Sequence, residues 1–197
     1  MILSTALLAG GLVGFLSAHW QKRHWSIPPL QVPWLVILAF LPQFLAIYLT
    51  PTRAHTPDKL AAIGVIVSQV LLLVFCWLNR RLAGVWLLAL GLAFNLLVIA
   101  SNGGFMPISP ETASRLISPE SLQTLQPGSR FGWKDILLFQ ENTRLIFLSD
   151  RLLPPKGFPY QIAFSIGDVV IGAGAFWLMM TQGTPLLHLL KSPRGKR

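Results

Sequence analysis

Five apolar segments, each close to the roughly 20 residues that cross a hydrocarbon layer, constrain this chain more than anything else in it. They are Met1–Ala18, Pro33–Thr50, Leu60–Leu78, Leu82–Ala100 and Gln161–Gln182. The first four contain no charged residue, and the fifth contains one, Asp168. With 53% hydrophobic and 12% charged residues, the chain is too apolar for an ordinary soluble domain. The expected fold is all-α and integral to a membrane: one polytopic domain, 1–197, with about five transmembrane helices. A more polar segment, 101–160, between spans four and five is expected to form a structured helical cap.

Basic residues orient the spans. Lys22 and Arg23 follow the first, Arg80 and Arg81 the third, and Lys191, Arg194, Lys196 and Arg197 the fifth. Five crossings put those three groups on one side, which the positive-inside rule makes cytoplasmic. The N-terminus is then outside, the C-terminus inside, and the expected location is a bacterial inner membrane. Trp20, Trp25, Trp34, Trp77, Trp86 and Trp177 fall near that same boundary, and Tyr48, Trp133 and Tyr160 near the other. The N-terminal run lacks a basic leader, so it reads as a retained span and not a cleaved signal peptide. The net charge of +9 does not point to nucleic acid, because the bases flank hydrophobic runs and do not interleave with exposed aromatics.

Small residues mark packing faces. Ala6, Gly10, Gly14 and Ala18 repeat every four residues in the first span, a spacing that lets helix backbones approach closely. In the last span Ser165, Asp168, Gly172 and Ala175 share a face, so Asp168 is expected to look into the bundle, away from lipid. Pro42 is expected to kink the second span. In the cap, Ser109-Pro110-Glu111 and Ser118-Pro119-Glu120 each present a capping serine, a proline and a first-turn acid. The run 132–153, with Leu145, Leu148 and Leu152 on one face and Arg144 and Arg151 on another, reads as an interfacial helix.

An ionisable group within a span is a functional candidate by default. Counting 1.5 Å per residue, Asp168, Gln43 and Asn95 lie at similar depth beneath the cap, with Gln69 deeper. Arg144 and Arg151 are the nearest bases to Asp168, and one of them is expected to pair with it. Asn102, Gly103 and Gly104, in a turn leaving the fourth span, complete the candidate polar layer, the glycines through backbone amides. Either these groups form a ligand site or they are interhelical hydrogen bonds that hold the acid. Cys76 is the single cysteine, so no disulfide or thiolate metal site forms within the chain. His19 and His24 lack the spacing that would put both on one metal. No metal set and no cofactor is named, although His19 is placed where a pigment or heme could be ligated.

Three motifs carry a resemblance. Asn102-Gly-Gly-Phe-Met-Pro107, the run Thr143–Leu152 and Phe164–Gly174 resemble a family of small bacterial integral-membrane proteins of unassigned function, which implies the bacterial cytoplasmic (inner) membrane as the location. A narrower likeness joins Asp150-Arg151 and Phe164-Ser-Ile-Gly-Asp168 to lipoprotein signal peptidases. It implies Asp168 and Asp150 as catalytic aspartates, although Ser165 and Gly167 replace that family's asparagine and alanine. No acid follows Asp150 before Asp168. Three functions follow as expectations: an accessory or structural subunit of a membrane complex, with a membrane-protein partner or a second copy; an aspartate-dependent hydrolase at the membrane interface; and a binder of an amphiphilic small molecule beneath the cap.

Overall fold

The structure, a computed structural model, describes residues 2–45, 56–118, 121, 125–132, 134–155, 157–158, 161–181 and 184–185. Tyr48, Trp133, Tyr160 and the basic C-terminal residues lie outside these. The chain is mostly helical, and two of its helices are long and apolar enough to cross a membrane: α1 (Ile2–Trp20) and α3 (Asp58–Leu78). Three shorter apolar helices accompany them, α2 (Trp34–Gln43), α4 (Val85–Ser101) and α6 (Ile166–Met180). Pro42 lies inside α2, one residue from its end.

The apolar helices pack as a row. α6 lies between α1 and α4, α3 packs on α4, and α2 packs on α3. Glycines set the spacing. A Cβ added to Gly10 of α1 would sit 2.8 Å from the Phe176 Cα of α6, and one on Gly14 2.7 Å from the Met179 carbonyl oxygen. The four-residue stripe of α1 therefore faces α6, with Gly10, Gly14 and Ala18 buried. The other side of α6 meets α4 as closely: a Cβ on Gly91 would lie 2.6 Å from the Gly167 carbonyl oxygen, and one on Gly174 2.6 Å from the Leu88 nitrogen. These contacts run α1 parallel and α4 antiparallel to α6. Trp20, Trp34, Trp77, Trp86 and Trp177 consequently gather at one end of the row. At that end β1 (Arg23–His24) pairs with β5 (Thr184–Pro185), and Trp25 donates its indole N–H to the Met179 carbonyl at 3.2 Å. The outward faces are apolar and exposed, Leu8 at 76% and Ile37 at 75%, far beyond what a water-facing surface carries as one patch.

The opposite end carries a cap. Here a small sheet stands where an interfacial helix is expected. β2 (Met106–Ile108) runs parallel to β4 (Asp135–Leu137), and β3 (Arg130–Phe131) antiparallel to it. The rest of the run 132–153 forms short 3₁₀ turns at Gln140–Asn142 and Ile146–Leu148. Leu145 has φ +54°, which no α-helix accommodates, so Leu145, Leu148 and Leu152 share no helical face. Leu148 instead joins Val65, Val98, Ile99 and Met106 in a cluster that fastens the cap to α3 and α4. Of the two short helices expected, α5 (Pro110–Ala113) is present, with the Ser109 hydroxyl accepting from the Thr112 N–H. Ser118 accepts from the Ser121 N–H in the same way, but Pro119 and Glu120 lie outside the described residues.

Candidate functional site

Asp168 is placed by the start of α6. Phe164 pairs with Leu152 in an antiparallel bridge and Ser165 is extended, so the helix begins at Ile166 and Asp168 falls in its first turn. Ser165 and Asp168 form a reciprocal capping box: the Ser165 hydroxyl accepts from the Asp168 N–H at 3.0 Å, and Asp168 Oδ2 accepts from the Ser165 N–H at 3.1 Å. Such a pair satisfies two of the N–H groups that a helix start leaves without partners.

Asn95 of α4 closes the inner side of this box. Its Nδ2 donates to Asp168 Oδ1 at 2.9 Å, and its Oδ1 accepts from the Ser165 hydroxyl at 3.0 Å. Gly167 makes room for it, since a Cβ there would overlap the Asn95 amide. The aspartate thus faces α4 and the cap, with 24% of its side chain exposed.

The cation that meets it is Lys134, not Arg144 or Arg151. Lys134 Nζ lies 3.3 Å from Asp150 Oδ2 and 4.0 Å from Asp168 Oδ2. Backbone pairing brings these residues together. The Lys134 carbonyl accepts from the Met106 N–H at 3.1 Å, and the Asp150 N–H donates to the Pro107 carbonyl at 3.1 Å, so β2 carries one on each side. Asp150 is wholly buried, and no backbone N–H or hydroxyl hydrogen-bonds to its carboxyl oxygens. What they meet is the Lys134 ammonium, with the carboxyl of Asp135 in the same cluster.

The electrostatics follow. Burial pushes Asp135 up to about 8, with the Lys134 charge opposing and the carboxylates of Asp150 and Asp168 adding to the rise. Burial likewise raises Asp150 to about 6, with Lys134 again opposing. For Lys134, burial alone would lower the ammonium, but the surrounding carboxylates outweigh it and hold it charged. The cluster is one lysine among three acids, and burial favours the protonated form of two of them, Asp135 and Asp150.

The remaining candidates disperse. The side chain of Asn102 clamps the backbone of Arg144, accepting from its N–H and donating to its carbonyl, both at 2.9 Å; the Arg144 side chain is exposed. Gly103 and Gly104 have φ of +79° and +92°, as their turn requires. The Gly104 N–H is spent on the Ile99 carbonyl at 2.9 Å, so these glycines build the exit from α4. Gln43 ends α2, on the far side of α3, and is not among the hydrogen-bond partners of Asp168. Gln69 and Ser68, in mid α3, have buried oxygens without hydrogen-bond partners. Among the described residues no group of histidine, cysteine and carboxylate is arranged to hold a metal, and His19 is exposed on α1.

Lys134 and Asp135 escape a reading by segment, because they look like the polar side of an amphipathic helix. The capping box had a signal, Ser-x-x-Asp before an apolar run.

Two cavities border this region. A polar cleft of about 160 Å³ is lined by Ser109, Glu111, Arg115, Gln140, Ser149 and Arg151, among others. An apolar groove of about 610 Å³ runs between α1 and α6 beside Leu153 and Pro155, with Ala6, Ala9, Phe158, Phe164, Gly172 and Phe176 on its walls. Leu153 lines both.

No curated protein and no solved structure matches the chain. A family model matches residues 28–180, which include the sheet, the lysine–carboxylate cluster and α6, and the chain belongs to that family, a family of unknown function (DUF5317).

Proposed function

We propose that the chain is a five-span protein of the bacterial cytoplasmic membrane that binds an amphiphilic small molecule at its outer face. The N-terminus is outside and the C-terminus cytoplasmic. α2, α4 and α6 belong to the same row as the two longer helices and carry the same exposed apolar faces. The basic and tryptophan-rich end suits the cytoplasmic side, which leaves the cap outside.

The observation that carries the binding role is the apolar groove. It follows α6 from Val169 to Phe176, about 10 Å of helix rise, and its lining residues continue up into the cap at Leu153, Pro154 and Pro155. A concave apolar site that meets polar groups at one end is the usual form of a small-molecule site, and here it parallels the acyl chains of one leaflet.

The hydrolase alternative has less support. An aspartyl mechanism needs two carboxyl groups sharing a proton around a water, and between Asp150 and Asp168 stands the Lys134 ammonium. The subunit alternative relied on glycine faces turned toward a partner. Gly10, Gly14, Gly167 and Gly174 are instead in contact with helices of this chain.

The test is native mass spectrometry of protein extracted in a mild nonionic detergent. One retained amphiphile per chain is expected, lost when the groove is filled by Ala9→Phe or Ala173→Phe, both at exposed positions. A chain that retains nothing, or retains as much after both substitutions, would refute the reading.

A further inference from the structure

We propose that the polar cleft binds the phosphate of an acyl lipid whose chain lies in the apolar groove. This rests on the amphiphile reading above and names the ligand class. The cleft and the groove meet at Leu153, the polar cavity on the cap side and the apolar one running down α6. That order matches a lipid in its own leaflet, head outward and chain inward.

The charge of the cleft selects the head. Arg115, just beyond α5, and Arg151, beside the Ile108–Asp150 bridge, come from separate elements and line the same cavity. Among the described residues neither guanidinium is paired with a carboxylate. Both are exposed, so neither is held there by burial. Glu111 is the one acid on the lining. It is tied to the rim by the Gln140 amide at 3.3 Å, and the Ser109 hydroxyl, foremost, keeps its carboxyl below the usual range. Two cations against one anion leave the cleft with net positive charge, the complement of a phosphodiester. Guanidinium groups bind phosphate oxygens through paired N–H donors. Arg151 neighbours Asp150 in sequence but lines the cleft and is exposed, while Asp150 is buried against Lys134. The head site and the buried cluster therefore share a backbone and no charge partner.

The experiment titrates the full chain in nonionic detergent with phosphatidylglycerol and with diacylglycerol of the same acyl chains, read by native mass spectrometry. Phosphatidylglycerol should bind about tenfold tighter, as expected for hydrogen bonds to a charged group. Arg115→Gln/Arg151→Gln should bring it to the diacylglycerol level while leaving diacylglycerol binding unchanged, which also shows that the variant is folded. Equal binding of the two lipids by the unaltered chain would overturn the phosphate assignment and leave the amphiphile reading intact, as would a preference that survives the double substitution. Glycerol 3-phosphate binding as tightly as phosphatidylglycerol would make the cleft a soluble-phosphate site and overturn the proposal. If neither lipid binds, the amphiphile reading falls with it.

Discussion

Lys134→Met removes the one cation of the buried cluster and leaves three acids facing one another. Deleting one partner of a buried ion pair costs about 3–5 kcal/mol. Lys134 keeps 32% and Asp168 24% of their side chains exposed, so water screens that half of the interaction, but Asp150 is at 0%. We therefore expect a loss of about 2 kcal/mol at pH 7, mostly from Asp150. The loss is limited because Asp150 can take up a proton instead of remaining charged. Its carboxyl is already raised to about 6 with the lysine present and rises further without it. A raised acid contributes stability at low pH that disappears as pH climbs through its folded value, so the variant should lose under about 1 kcal/mol at pH 5. Equilibrium unfolding in mixed detergent micelles, followed by far-ultraviolet circular dichroism at pH 5 and pH 7, measures both. Lys134→Met/Asp150→Asn should recover at least about half of the loss at pH 7, because the stranded charge is gone. A loss equal at the two pH values, or below about 0.5 kcal/mol at pH 7, would refute the ion-pair account.

The unaltered protein should itself lose stability between about pH 4 and pH 8. Asp150 at about 6 and Asp135 at about 8 hold protons that the unfolded chain has released near 4, an effect on the order of 3 kcal/mol from Asp150 alone. Asp135→Asn should flatten the profile, and an unchanged melting temperature difference between pH 5 and pH 8 in that variant would contradict the raised Asp135 carboxyl. Ser165→Ala removes the cap of α6 and the hydroxyl that Asn95 accepts from, for an expected loss of about 1–2 kcal/mol in the same unfolding assay. Gly167→Ala puts a methyl group onto the Asn95 amide and should cost about 1–3 kcal/mol; a neutral outcome would mean that α4 and α6 are not held this closely.

Helix packing was readable because it depends on local spacing. The stripe Ala6, Gly10, Gly14, Ala18 follows one face whatever it meets, and Ser109-Pro110-Glu111 caps a helix by contacts within four residues. The helix α6 starts at Ile166, although Ile162, Ala163 and Phe164 are apolar enough to pass for the first turn of a span. Phe164 is bridged instead to Leu152, which reaches it from across the cap. The same long-range pairing hides Lys134 and Asp135. β4 is a strand only beside β2 and β3, and three residues are too few for an alternating pattern to stand out. Asp168 and Asp150 could be singled out as acids among apolar neighbours, but the ammonium between them comes from a segment whose fold is set by its partners. Leu145, left-handed without being glycine, carries no advance signal.

The arrangement of cap and tryptophan-rich end across a bilayer underlies the rest, and labelling intact cells tests it most directly. In a Cys76→Ala background, a single cysteine at the exposed cap position Gln140 is compared with one at the exposed Arg80, at the opposite end of the helix row. A membrane-impermeant maleimide should label the cysteine at 140 in intact cells and the one at 80 only after lysis. Labelling at 80 but not at 140, or at both positions before lysis, would contradict the account.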